Sequence, residues 1–163
     1  MSDRYYASIE VRGGITEEQF KELMGYIDEN DVGGEEGPES KEDLLEAVMH
    51  KKLFWADSEA VDGFFPDFES FLQTVKIPYI RLSSAHYENQ AVRSVYNGRR
   101  ERSFACDNNG KPYLHLSEVY KLRTHRRFNQ WIKKYYAATM LDNFHITDAK
   151  TPAQKKKRQA VRA

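Results

Sequence analysis

Residues 91–106 read AVRSVYNGRRERSFAC. Two β-rich runs flank Asn97-Gly98, a dipeptide that supplies the positive φ a tight reversal needs. An antiparallel strand pair is expected here, and an isolated hairpin has little stability in water. The chain must therefore build a larger antiparallel sheet to receive it. The other segments have to supply further strands and an apolar cover.

The N-terminal part supplies both. RYYASIEV (4–11) alternates weakly and is β-rich, so it reads as the first strand. Thr16 with Gln19 three residues on forms a capping-box pattern. Phe20, Leu23, Met24 and Ile27 follow at i, i+3, i+4 and i+7, which predicts an amphipathic helix over 16–30. DVGGEEGPES (31–40) is Gly-rich and acidic and reads as a mobile inserted loop. Ser40 then caps a second helix with Leu44, Leu45 and Val48 turned inward.

KLFWADSEAV (52–61) predicts a strand. DGFFPDFESFLQTVKI (62–77) predicts a helix with Pro66 near its start, where the missing N–H costs least. Its buried face would carry Phe68, Phe71, Leu72 and Val75. PYIRLSS (78–84) is a short strand, DNNGKP (107–112) a turn, and YLHL (113–116) a further strand. The order of elements is α+β. It suggests a ferredoxin-like antiparallel sheet with helices packed on one face, extended by the hairpin and followed by a basic C-terminal helix. Residues 1–148 are expected to form one domain and 149–163 a flexible basic tail.

The charge is polarised along the chain. Residues 1–79 hold 7 Lys and Arg against 19 Asp and Glu, and residues 80–163 hold 18 against 6. The whole is neutral. Either the halves neutralise one another on folding, or the second half keeps its charge for an anionic partner.

Candidate contacts for such a partner fall in three places. Arg99, Arg100 and Arg102 gather at the hairpin tip, with Arg93 on the other arm. A β-ribbon of this kind can enter a major groove, although arginines also protect an edge strand. The helix over 124–141 opens at Thr124 and sorts its residues by side. Phe128, Trp131, Ile132, Tyr135 and Thr139 form one face, expected in the core. Arg126, Arg127, Gln130, Lys133 and Lys134 form the other. Those cations lack acidic partners one turn away, and a phosphate backbone would neutralise them through counterion release. Lys155, Lys156, Lys157 and Arg158 in the tail would add a tethered electrostatic contact. Conversely, Glu35, Glu36 and Glu39 present an acidic patch that a basic surface of another protein could take. A plain solvated loop is the competing reading.

Catalytic signals are sparse. HLS (115–117) and HIT (145–147) fit His-x-Ser/Thr and so resemble the paired motifs of two-histidine phosphoesterases. That resemblance implies His115 and His145 as acid and base, with Ser117 and Thr147 holding a phosphate oxygen. Glu118 and Asp148 stand where the family has an apolar residue, and Ser117 serves equally as a helix cap. His86, Glu88 and His125 lack metal-ligand spacing, no phosphate-binding Gly-rich loop occurs, and no cofactor is expected. The single cysteine, Cys106, excludes an internal disulfide. With no run of 18 apolar residues and no signal-peptide pattern, the expectation is a cytoplasmic protein with no membrane partner.

The stretch FESFLQTVKIPYIRLSSAHYE (68–88), with VYNG (95–98) and NGKPYLHLSE (109–118) after it, and the overall make-up resemble small accessory proteins of phages and mobile elements. Anti-CRISPR and other anti-defence inhibitors belong to that group. The resemblance implies a non-enzymatic binder, acting in a bacterial host cell, that occludes a nucleoprotein complex or defence nuclease. A DNA- or RNA-binding regulator is the first alternative and a two-histidine phosphoesterase the second.

Overall fold

The computed structural model of the protein describes residues 3–32, 34–86, 90–114, 116–121, 124–139, 141 and 144–147. Twelve elements follow in order: β1 Arg4–Val11, β2 Gly14–Thr16, α1 Glu17–Glu29, α2 Lys41–Met49, β3 Leu53–Val61, α3 Pro66–Thr74, β4 Tyr79–Ser83, β5 Val92–Tyr96, β6 Glu101–Ala105, α4 Leu116–Lys121, α5 His125–Thr139 and β7 His145–Thr147.

Local chemistry sets most boundaries. Thr16 Oγ1 accepts from Gln19 N at 3.1 Å and Gln19 Oε1 accepts from Thr16 N at 2.9 Å, a complete capping box for α1. Gln19 Nε2 also donates to Val75 O at 2.7 Å, which ties the start of α1 to the end of α3. Ser40 Oγ accepts from Asp43 N at 3.2 Å and caps α2. Pro66 occupies the first turn of α3.

Five strands form an antiparallel sheet in the order β3-β1-β4-β5-β6. The α+β class and the antiparallel sheet are as expected. β3 and β4 both run antiparallel to β1, so β3-α3-β4 is one split β-α-β unit around β1. The other half of a ferredoxin-like pattern is replaced: α1 and α2 return the chain to β3, an antiparallel neighbour of β1. A second, two-stranded sheet pairs β2 with β7 in parallel, Ile15 opposite Ile146.

Ala7, Ile9 and Val11 of β1 are fully buried on one sheet face, with Leu53, Trp55 and Tyr79 beside them. Phe20, Leu23 and Ile27 of α1, Leu44 of α2, and Phe68 and Leu72 of α3 are buried with them. Each such side chain contributes about 1.5–3 kcal/mol on burial. Trp55 meets Phe68 edge-on at 4.8 Å and Tyr26 stacks on Phe71 at 4.1 Å. Leu45, expected inward, is half exposed.

Two expected features differ. YLHL does not form a strand. Asp107 Oδ1 accepts from Asn109 N and Lys111 N, and this turn returns the chain for a single bridge between Cys106 and Pro112. Tyr113 N then donates to Ala105 O, and α4 begins at Leu116. Proline lacks the N–H that a longer ladder needs. The acidic segment 31–40, read as mobile, is bonded to the outer edge of β3. Glu35 N and Glu36 N donate to Ala56 O, Ala56 N donates to Glu36 O, and Trp55 Nε1 donates to Pro38 O at 3.1 Å. Gly37, with φ +138°, permits the close approach: a Cβ there would lie 2.3 Å from Trp55 Cδ1.

Candidate functional site

The hairpin forms where expected, but its reversal centres on Gly98-Arg99, one residue beyond Asn97-Gly98. Asn97 N donates to Arg100 O, and Asn97 Oδ1 accepts from Arg99 N at 3.1 Å and Arg100 N at 3.0 Å. Gly98, φ +82°, takes the first central position, where a II′ turn needs a positive φ. This lifts Arg99 and Arg100 into solvent at the tip. The other two arginines do not join them. Arg93 and Arg102 are half-buried on the sheet face that carries Val95 and Phe104.

Helix α5 lies against β5, the first arm of the hairpin. Thr124 caps α5: its carbonyl accepts from Phe128 N at 3.1 Å and its hydroxyl from Arg127 N at 3.4 Å. Arg126, Arg127, Gln130 and Lys133 are exposed, and Arg127 Nη1 donates to Lys121 O at 3.3 Å. The opposite face is wetter than expected. Trp131 and Ile132 are half-buried, but Phe128 is 45% exposed. The side chain of Lys134 lies outside the described part, as do Lys155, Lys156, Lys157 and Arg158.

Glu35, Glu36 and Glu39 are exposed beside β3. Glu35 Oε1 accepts from Ser58 Oγ at 2.8 Å. Glu36 and Glu39 line a cleft of about 420 Å³ together with Asp28 and Asp31, and Asp28 is paired with Lys41. β3 and β6 are opposite edges of the sheet. Four inter-strand spacings hold the acidic and arginine-bearing edges about 19 Å apart, beyond a Debye length of about 8 Å.

Folding thus keeps the charge asymmetry. Among the described residues the ion pairs are Arg4–Glu59, Arg12–Glu10, Lys41–Asp28, and Arg81 with Glu69 and Glu101. None involves Arg99, Arg100, Arg102, Arg126, Arg127 or Lys133.

Arg81 is the exception, and sequence reasoning missed it. It enters the core from β4, its side chain 6% exposed. Nε lies 3.2 Å from Glu69 Oε1 of α3. Nη1 donates to Gly63 O and Ser83 Oγ, both at 2.8 Å, and Nη2 to Ser94 Oγ of β5 at 3.1 Å. Ser94 in turn bonds Ser103 of β6 at 2.8 Å, and the guanidinium lies 4.0 Å from the centre of the Phe64 ring. Glu69 also accepts from Phe65 N and from Tyr79 Oη. Burial holds the Glu69 carboxyl above its ordinary range despite the opposing guanidinium, and burial also raises the Tyr79 phenol. One cation therefore fastens β4 to α3 and to both strands of the hairpin.

The described motif residues sit on different elements. Ser117 is exposed inside α4, not its cap and not on a strand, and His115 lies outside the described residues. His145 and Thr147 sit on β7, where Thr147 Oγ1 donates to Ile15 O at 3.0 Å. That hydroxyl is already used in holding β7 to β2. Among the described residues no group of three His, Cys, Asp or Glu is placed to hold a metal, and no helix is long and apolar enough to cross a membrane. No family model, curated protein or solved structure matches the chain.

Proposed function

We propose that this is a non-enzymatic binding protein whose basic side takes a nucleic-acid backbone, free or within a bacterial nucleoprotein complex, and acts by occluding it. One observation carries the reading. Arg99 and Arg100 at the hairpin tip, with Arg126, Arg127 and Lys133 on the adjoining helix, are exposed and outside every described ion pair. Like charges held together without internal partners cost stability that a polyanion repays through counterion release. Exposed Gln130 among them adds a group able to reach base edges.

The split β3-α3-β4 unit supports the ferredoxin-like reading of the sheet, and a fold alone carries no function. Resemblance in type to phage accessory proteins favours a defence nuclease or similar machine as the occluded complex. A gel-shift titration over salt tests the polyanion contact. Affinity falling steeply with salt is expected. Capture of a bacterial partner that survives nuclease treatment, with no shift at low salt, would instead assign the basic side to a protein.

A further inference from the structure

The sheet face turned away from α1, α2 and α3 carries a cleft of about 220 Å³. Its floor runs from Phe54 of β3 across Ser8 and Glu10 of β1 to Ile80 and Leu82 of β4, apolar groups on either side of two polar ones. The 107–112 turn walls one side through Asn109 and Gly110. Arg93 enters from β5, and its Nη1 donates to Gly110 O at 3.1 Å. Its Nε is buried and meets no acceptor among the described residues. A buried donor left unmatched is costly, and a guanidinium more so.

The cleft offers a ligand two kinds of contact: apolar surface from Phe54, Ile80 and Leu82, and a donor in Arg93 Nε that calls for an acceptor on the ligand's edge. The volume is below the ~300 Å³ at which pockets for drug-sized ligands begin, so the occupant is a single ring. We propose, resting on the nucleic-acid reading above, that this cleft receives one unstacked base of a single strand whose backbone crosses the basic side. Splayed bases are held in this way, on apolar or guanidinium surfaces with their edges hydrogen-bonded. Arg102 stands on the same face two register rows along, opposite Val95, where it meets the neighbouring phosphate. Arg12, at the rim, has its Nε 2.9 Å from Glu10 Oε1, so this pair leaves Arg93 as the uncompensated charge.

The experiment compares the full chain's affinity for a thymidine oligomer with that for an abasic backbone of equal length. The base-bearing strand is expected to bind about tenfold more tightly. Arg93→Gln and, separately, Leu82→Trp, which fills the cleft, should each abolish that preference, and Arg93→Gln, which also removes a cation, should weaken binding of both strands. Equal affinity of wild type for both strands would overturn the cleft and leave the basic side standing. Binding of neither strand would overturn the basic side. The cleft would then be judged by thymidine 5′-monophosphate alone: movement of the Arg93 and Gly110 amide resonances sustains it, and no movement overturns it.

Discussion

Arg81 Nε and Glu69 Oε1 lie 3.2 Å apart with side chains 6% and 9% exposed. The pair joins a strand to a helix, and its remaining bonds reach the hairpin that carries the proposed contact arginines. Geometry at the basic side therefore depends on a buried interaction.

Removing one partner leaves an uncompensated buried charge. Arg81→Met should cost about 3–5 kcal/mol in chemical unfolding, whereas Arg81→Met with Glu69→Leu should recover much of that loss. A double mutant no more stable than Arg81→Met would show that the two do not act as a pair. Glu69 also gives a pH signature. Its folded pKa is raised from 4.5, so between that value and the raised one the folded state binds the extra proton. Stability relative to Glu69→Gln should thus fall as pH rises through this mildly acidic window. Urea midpoints of both proteins at pH 4.5 and 7 check it, and a gap that widens in wild type's favour on raising the pH would contradict it.

Salt dependence weighs the helix face. Arg126→Gln with Arg127→Gln should lower the slope of log K against log salt by about 1.8 on duplex DNA, or about 1.4 on a single strand, if both meet phosphates. An unchanged slope would remove these residues from the interface.

Cys106 is 1% exposed, and burial, helped by Asp107 and opposed by Arg93, raises its thiol. Thiolate is the reactive species. Ellman's reagent should leave the native protein unlabelled over minutes and titrate the single thiol at once in denaturant. Rapid native labelling would place that residue at the surface.

Gly37→Ala brings a Cβ to 2.3 Å from Trp55 Cδ1 at a φ of +138°. We expect a loss of about 1–3 kcal/mol, several degrees in Tm, and altered fluorescence of Trp55 in a Trp131→Phe background. Wild-type stability in the variant would mean that the 31–40 segment does not lie against β3.

Local signals were legible in the sequence. Thr16 with Gln19, Ser40, Pro66 and the Asn97-Gly98 reversal each act over a few residues, and each sits at the boundary it predicts, the reversal to within one residue. The β4 string YIRLS misleads because its burial runs against its hydropathy. Tyr79, Arg81 and Ser83 face the helices, while Ile80 and Leu82 take the other side. With a period of two, one strand cannot show which face is core, and Arg81 is tolerated inside only because Glu69 arrives from α3. The Arg93 cleft was illegible for a similar reason. Its floor and wall come from β1, β3, β4 and the 107–112 turn, which no linear spacing links. At α5 the helix itself is legible, but periodicity does not report how much of a face is covered: Phe128 stays half wet, and Tyr135 and Thr139 lie outside the described side chains.

The parallel ribbon of β2 and β7 sets a condition on biosynthesis. Ile15 O is bonded by Thr147, and Gly13 O by the amide of His145, directly beside the Thr16 cap of the first helix. On the ribosome that latch stays open until about 130 further residues have been translated. The loop that enters the first helix is therefore fastened only after the main sheet and its three covering helices have been made, so the nascent amino-terminal half must hold its packing without that latch.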